Sequence, residues 1–165
     1  GKAFTIAEKM NNQGMIYAMD LHPHRVSLIK RGADRLGIKI IKCLVNDAME
    51  FNDNIPMADR VICDVPCSGF GIIRRKPEIR YKELDSIKNL PDIQYKILEI
   101  SSRYLKTGGK IIYSTCTLNK KENEKVVERF LSEHSNFDLT EQKTVFPSVN
   151  GGDGFYYALM EKKYD

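Results

Sequence analysis

Two cysteines that follow apolar runs are the residues of this sequence best suited to nucleophilic chemistry. One run leads through Asp64 to Pro66 and Cys67, and Pro66 lacks the backbone donor that a strand would need to continue. Cys116 follows a second apolar run, at 110–115. Because neighbouring parallel strands bring their carboxyl ends to the same sheet edge, we expect Cys67 and Cys116 to lie close together. Each could instead be a structural cysteine at a strand end.

Three aspartates fall at corresponding positions, at or just after the ends of predicted strands: Asp20, Asp47 and Asp64. In nucleotide-binding α/β folds, an acidic residue placed like Asp20 accepts hydrogen bonds from ribose hydroxyls. Asp47 is expected to receive a donor from an adenine or to stabilise a neighbouring loop. Aspartate also caps helices and starts turns, but the shared placement of all three favours a nucleoside pocket.

Two thiols and a carboxylate beside a nucleoside pocket indicate covalent chemistry on a base. C5 of cytosine is a poor nucleophile, but a thiolate that adds at C6 makes C5 enamine-like, and C5 can then attack an electrophilic methyl group. A base must remove the C5 proton before the thiolate leaves. The alternative is that both cysteines are packing residues, since buried thiols are common.

The elements that must position these residues alternate between helix and strand. Helices are predicted over Lys2–Met10, 23–37, Ile93–Leu105 and Lys120–Glu133, and strands over 15–20, Ile38–Val45, 60–64, Lys110–Thr115, Phe137–Leu139 and Phe155–Met160. Gly108 and Gly109 are predicted to end the third helix and to lead into the fourth strand. Strands separated by helices indicate a mostly parallel, doubly wound α/β sheet. The last two strands have no helix between them and so indicate an antiparallel edge.

Composition is that of a globular protein. The chain has 165 residues, of which 42% are hydrophobic and 29% charged, so we predict one domain over 1–165. No apolar run approaches the roughly 20 residues that span a bilayer, and no signal peptide opens the chain. The four cysteines are unevenly spaced and lack paired CxxC motifs, which favours a reducing, cytoplasmic location and predicts no metal site.

A basic segment follows the Cys67 turn. It contains Arg74, Arg75, Lys76 and Arg80, with Tyr81 close behind, and the whole chain carries a net charge of +4. A basic, aromatic-edged loop beside a reactive site is suited to hold a nucleic-acid backbone and to stack a base. The alternative is a solvated charge cluster.

The ordered motifs of this sequence resemble those of the RsmB/Sun (Fmu) RNA cytosine-5 methyltransferases. The central motif is DVPCSG at 64–69, followed by GIIRRKP at 71–77. The second cysteine motif is STCT at 114–117, followed by ENE at 122–124, and the tail carries FP at 146–147 and GDGF at 152–155. The resemblance covers nearly the whole chain. It implies a Rossmann-like methyltransferase sheet, S-adenosylmethionine as methyl donor, and a cytosine of ribosomal RNA as substrate.

The resemblance also implies roles for individual residues. It makes Cys116 the nucleophile that attacks C6, and it assigns Cys67 to product release during proton removal at C5. Asp64 is expected to hydrogen-bond the pyrimidine edge. The cofactor-binding residues that it implies are Gly1, Lys2, Asp20, Arg25, Asp47, Asp64 and Pro66, and the expected RNA-binding residues are Arg74, Arg75, Lys76 and Arg80.

The start of the chain departs from the family pattern. Gly1-Lys2 look like the last residues of the family's glycine-rich cofactor loop. We therefore expect a methyltransferase domain truncated at its N-terminus, lacking the first strand of the sheet and weakened in cofactor affinity. Two other functions stay open, namely a DNA cytosine-5 methyltransferase that uses Cys67 as nucleophile, and a non-catalytic RNA-binding remnant. The Thr115-Cys116 pair and the basic segment argue against the DNA enzyme, whereas the missing loop favours the remnant.

Overall fold

The structure, a computed structural model, describes residues 1–148 and 151–164. Its contacts divide the chain into two compact units, Gly1–Ile55 and Pro56–Asp165. Both units combine helices with β-strands, and the predicted α/β fold with an antiparallel edge is confirmed. The prediction of a single domain stays a prediction.

The first unit pairs two parallel strands with two helices. Its elements are α1 (Lys2–Lys9), β1 (Ile16–Asp20), α2 (Pro23–Arg35) and β2 (Ile41–Val45). Pro23 occupies the start of α2, where its missing N–H is not needed. The small core contains Ala7, Ala33, Ile38 and Ile40. The N–H of Ile38 donates to the carbonyl of Ala33 at 2.9 Å, which closes the end of α2, so β2 begins later than predicted.

The second unit is built on a four-stranded sheet in the order β3-β4-β6-β5, in which β3 and β4 are parallel and the other pairs antiparallel. Two 3-10 helices, Pro77–Tyr81 and Leu84–Ile87, lie in the segment after β3. The remaining elements are β3 (Ala58–Asp64), α3 (Leu90–Arg103), β4 (Leu105–Thr115), α4 (Glu124–Glu133), β5 (Phe137–Val145) and β6 (Phe155–Lys162).

The parallel pairing of β3 with β4 positions the predicted chemistry. Asp64 lies opposite Ser114, so the two strands end at the same edge of the sheet. Behind this edge, Leu98 of α3 and Phe130 of α4 are fully buried against Tyr113 of β4. Burial of a side chain of this size stabilises the fold by about 1.5–3 kcal/mol, which anchors both strands.

Four predictions about the elements of this unit are wrong. The helix predicted to Leu105 ends at Arg103, because buried Leu105 already pairs with Ala58 in the sheet. Gly108 and Gly109 do not lie between a helix and β4. They lie inside β4, opposite the point where the β3 register shifts between Ala58 and Arg60. The helix predicted from Lys120 begins at Glu124, because the residues before it form turns stabilised by side-chain hydrogen bonds. The strand predicted at Phe137–Leu139 extends to Val145 through its pairing with β6.

None of the helices in the described part of the chain has the length and apolarity that crossing a membrane requires. Among residues 1–148 and 151–164, no group of three or more His, Cys, Asp or Glu side chains is arranged to hold a metal ion. The four cysteines are free thiols.

Candidate active site

Two thiols meet where β3 and β4 end. Sγ of Cys67 lies 3.1 Å from Sγ of Cys116, and the backbone N–H of Cys116 donates to Sγ of Cys67 at 3.3 Å. Both side chains are half-buried. The predicted proximity of the two cysteines is therefore confirmed, and one sulfur is placed to donate a hydrogen bond to the other.

The hydrogen bond between the thiols separates their pKa values. Donation from Cys67 lowers the pKa of Cys116 to about 7, although burial and the nearby Asp64 carboxylate oppose this shift and the charge of Lys76 supports it. The same bond, together with burial, raises the pKa of Cys67, and the N–H donated by Cys116 offsets only part of that rise. Burial raises the pKa of Cys63 to about 12, and it also raises the pKa of Cys43. Cys116 is thus the thiol best prepared to act as a nucleophile at neutral pH.

The residues that flank the cysteines join the two loops. Oγ of Ser68 lies 2.8 Å from Oγ1 of Thr117. The residue that follows Cys67 therefore contacts the residue that follows Cys116. Lys82 donates to the carbonyl of Ser68 at 2.9 Å, which holds the Cys67 loop from the side of the basic segment. Buried hydroxyl and backbone groups therefore fix both loops.

Glycines allow the turn after Cys67 to pass close to the rest of the sheet. Gly69 has φ 82°, a conformation that glycine adopts without strain. The N–H of Gly71 donates to the carbonyl of Cys116 at 2.9 Å, and the N–H of Gly154 donates to the carbonyl of Gly71 at 2.7 Å. A Cβ atom at Gly71 would lie 2.0 Å from the oxygen of Gly154. The close approach of the backbone at Gly71 to the backbone at Gly154 therefore requires glycine at position 71.

Asp64 and Pro66 stand at the exposed mouth of the thiol pair. Ser114 donates its hydroxyl to Oδ1 of Asp64 at 3.3 Å, and the carbonyl of Pro66 accepts a hydrogen bond of 2.8 Å from the side chain of Gln94. Asp64 thus presents a carboxylate near Cys116, at the end of the strand that leads to Cys67.

The predicted ribose-binding acid lies in the first unit, at the end of β1. Oδ1 of Asp20 accepts the N–H of His22 at 2.9 Å, and Oδ2 lies 3.7 Å from Nη1 of Arg25. A carboxylate has about four lone-pair positions, so these two contacts leave acceptors for ribose hydroxyls. The residues present therefore fit the ribose of a nucleoside cofactor.

Asp47 lies close to Asp20, at the edge of the sheet where β1 and β2 end. The carbonyl of Asp20 accepts the N–H of Asn46 at 3.1 Å, and Oδ1 of Asp47 accepts the N–H of Met49 at 2.9 Å. Asp47 therefore stabilises its own loop, and its expected contact with an adenine stays a prediction. Gly1 and Lys2 are exposed at the start of α1. A pocket shared by Asp20, Asp47 and Asp64 stays a prediction.

The basic residues predicted to contact RNA are exposed, but they differ in their surroundings. Arg75 pairs with Asp153 at 3.1 Å, and the Asp153 side chain is only 9% exposed. Arg74, Lys76 and Arg80 are exposed side chains of the same segment. The ion pair of Arg75 with Asp153 thus links the basic segment to the residues just before β6.

Three buried polar residues that lie near the thiols had no predicted role: Gln94, Glu122 and Asn123. Gln94 precedes Leu98 by one helical turn on the buried face of α3, and a polar residue on such a face is the signal that could have identified it. Glu122 and Asn123 belong to the ENE motif, whose sequence gives no indication of burial.

Comparison with known proteins gives a consistent result. A family profile described as 16S rRNA methyltransferase RsmB/F matches residues 1–161. The probable ribosomal RNA small subunit methyltransferase B of Bacillus subtilis is 40% identical, over 99% of this chain and 41% of its own length. The crystal structure of PH0851 has a TM-score of 0.88 and 38% identity, over 98% of this chain and 40% of that one. The crystal structure of NSun6 from Pyrococcus horikoshii with SFG has a TM-score of 0.82 and 28% identity, over 100% of this chain and 46% of that one. The chain spans about two fifths of the length of the curated relatives it matches.

Proposed function

Because the chain belongs to the 16S rRNA methyltransferase RsmB/F family, we propose that its paired thiols carry methyl transfer from S-adenosylmethionine to C5 of a cytosine in ribosomal RNA, in the cytoplasm. The observation that supports this most directly is the 3.1 Å contact between Cys67 and Cys116. Methylation at C5 needs both a nucleophile for C6 and a base for the C5 proton, and a thiol pair supplies two groups at one place.

Cys116 is the proposed nucleophile. Its pKa of about 7 gives a substantial thiolate fraction at neutral pH, and the sulfur is half-buried at the mouth of the two loops. Attack on C6 forms a C–S bond and moves electron density to C5. S-adenosylmethionine supplies the electrophilic methyl group when it is bound.

Cys67 is the proposed base at the later step. Before attack, its pKa is raised because it donates to the Cys116 thiolate. After attack, Cys116 is a thioether without a negative charge, so the largest cause of the raised pKa of Cys67 disappears and only burial still raises it. Cys67 then loses its proton to solvent. The Cys67 thiolate then takes the C5 proton, the C–S bond breaks, and Cys116 leaves as a thiolate. The coupling between the sulfurs thus gives the two roles an order in time.

The remaining assignments follow from the same proposal. Asp64 accepts a donor from the cytosine edge beside the thiols. Asp20, with Arg25 and Asp47, holds the nucleoside end of S-adenosylmethionine, and Gly1 and Lys2 of the same unit border it. Arg74, Lys76 and Arg80 contact RNA phosphates, with Arg75 fixing their segment through Asp153.

The product of the reaction tests the proposal. Full-length protein is incubated with an unmodified small-subunit rRNA transcript and S-adenosylmethionine, and the RNA is digested to nucleosides for mass spectrometry. We expect 5-methylcytidine from the wild type and none from Cys116→Ala, whereas the matched control Cys43→Ala should be as active as the wild type. A methyl group on another base, or an active Cys116→Ala variant, would refute the proposed chemistry.

A further inference from the structure

Two adjacent, fully buried polar residues lie behind the thiol pair. Glu122 is 1% exposed and Asn123 is 0% exposed, and they immediately precede α4. An unpaired buried polar group is costly, so the partners of these side chains indicate what they hold in place.

Glu122 holds the Cys67 loop. Its Oε2 accepts the N–H of Ser68 at 2.8 Å and Nε2 of Gln94 at 3.0 Å. Gln94 also donates to the carbonyl of Pro66 at 2.8 Å. Glu122 and Gln94 therefore fix the peptide groups on both sides of Cys67.

Asn123 holds the Cys116 loop in the same way. Its Oδ1 accepts the hydroxyl of Thr115 at 2.6 Å, and its Nδ2 donates to the carbonyl of Thr117 at 2.9 Å. Thr115 and Thr117 are the residues on either side of Cys116. Asparagine at the N-cap of a helix ordinarily accepts a backbone N–H of the first turn, but this side chain makes no capping bond and contacts the cysteine loop instead.

We propose that Glu122 and Asn123 are positioning residues that set the distance between the two sulfurs, Glu122 through the Cys67 loop and Asn123 through the Cys116 loop. The two residues are joined by one peptide bond, so each loop is fixed relative to the same short anchor. The carbonyl of Glu122 accepts the hydroxyl of Tyr113 at 2.6 Å, which ties this anchor to β4. The inference deepens the proposed function and rests on it.

Conservative substitutions separate the hydrogen bonds that position the two loops from the space that each side chain fills. Oε1 of Glu122 accepts Nδ2 of Asn119 at 2.9 Å, so both carboxylate oxygens accept hydrogen bonds. Glu122→Gln keeps the shape of the side chain but replaces one accepting oxygen with an NH₂ group. That group must face one of the present donors, with which it cannot form a hydrogen bond. Asn123→Asp keeps the acceptor for Thr115 and loses the donor to the carbonyl of Thr117. Glu128→Gln on the exposed face of α4, where Glu128 pairs with Lys125, is the matched control.

The test measures the thiols directly in the full-length protein, without RNA or S-adenosylmethionine. Alkylation of Cys116 by iodoacetamide is followed against pH by peptide mass spectrometry, and the Cys67–Cys116 crosslink formed by dibromobimane is quantified. We expect the alkylation midpoint to rise by about one pH unit in Glu122→Gln and in Asn123→Asp, which slows alkylation at pH 7 by roughly fivefold. The crosslink yield should fall in both variants, and Glu128→Gln should match the wild type.

A wild-type alkylation profile and crosslink yield in both variants would overturn the inference, even if both melt at a lower temperature. If these variants fail to fold, Gln94→Met gives the answer. It removes the bonds to Pro66 and Glu122, and it also removes the buried Oε1 of Gln94, which has no hydrogen-bond partner among the described residues. A shifted profile in Gln94→Met supports the inference and an unshifted one refutes it. Because these readouts need no substrate, failure of the proposed methylation would leave them unchanged.

Discussion

The sulfurs of Cys67 and Cys116 lie 3.1 Å apart, although the two cysteines are 49 residues apart in sequence. The contact follows from the parallel pairing of β3 with β4, which end opposite each other at Asp64 and Ser114. Because one sulfur donates a hydrogen bond to the other, the two ionisations depend on each other. Substitution of either cysteine should therefore change the chemistry of its neighbour.

Cys67→Ala should raise the pKa of Cys116 from about 7 towards its ordinary value near 9, because the largest cause of the lowering is the hydrogen bond from Cys67. Alkylation of Cys116 at pH 7 should then slow by at least roughly fivefold, because the thiolate is the reactive form. Cys67→Ser keeps a hydroxyl donor and should produce a smaller shift. An unchanged midpoint in Cys67→Ala would mean that Lys76 and the backbone set this pKa instead.

Cys116→Ala should abolish methylation and any covalent RNA complex, because the bond to C6 forms at this sulfur. Cys67→Ala should allow attack and methyl transfer but slow the breakdown of the adduct, which a denaturing gel shows as a protein–RNA band. The double variant should lose that band. If Cys116→Ala traps RNA and Cys67→Ala does not, the roles are reversed, as in the DNA-type mechanism.

Asp20→Asn should weaken binding of S-adenosylmethionine to the full-length protein by at least roughly tenfold, since charge-assisted hydrogen bonds contribute about 1.5–3 kcal/mol each. Asparagine can still accept the N–H of His22, so the turn at the end of β1 is kept. Calorimetry measures the affinity, with exposed Asp53→Asn as control. Equal affinities for the two variants would remove Asp20 from the cofactor site.

Arg74→Ala with Arg80→Ala should flatten the salt dependence of RNA binding, with the logarithmic slope falling by about 0.7 for each lost phosphate contact to a single strand. The melting temperature should not change, since both side chains are exposed. Arg75→Ala should lower the melting temperature, because it leaves the poorly exposed Asp153 without its arginine. A wild-type slope in the double variant would make this segment an ordinary solvated surface.

Gly71→Ala should destabilise the second unit by about 1–3 kcal/mol, because overpacking forces the backbone to shift. The added Cβ would meet the oxygen of Gly154 at 2.0 Å and the carbonyl oxygen of Cys116 at 2.9 Å. Gly152→Ala is the matched control, since its nearest contact would be an ordinary 3.5 Å. Denaturant unfolding measures the difference, and equal stabilities for the two variants would contradict the close crossing.

The alternation of helix and strand, and the position of Cys67 and Cys116 at strand ends, can be predicted from sequence. Both are local properties, because apolar periodicity, Pro66 and the turn residues act over a few positions. Helix boundaries were less predictable. Gly108 and Gly109 look like the end of a helix in sequence. They lie inside β4 because β4 pairs with β3 on both sides of them.

The polar residues that hold the site are identified by long-range contacts in the folded chain. Glu122 and Asn123 look like surface residues in sequence, because charge and polarity ordinarily favour exposure, and the sequence around Gln94 does not show its partners. Their burial depends on hydrogen bonds to segments up to 54 residues away, such as that from Ser68 to Glu122. Arg75 likewise differs from Arg74 only through Asp153. These contacts exist only after the strands have paired, so no local pattern could predict them.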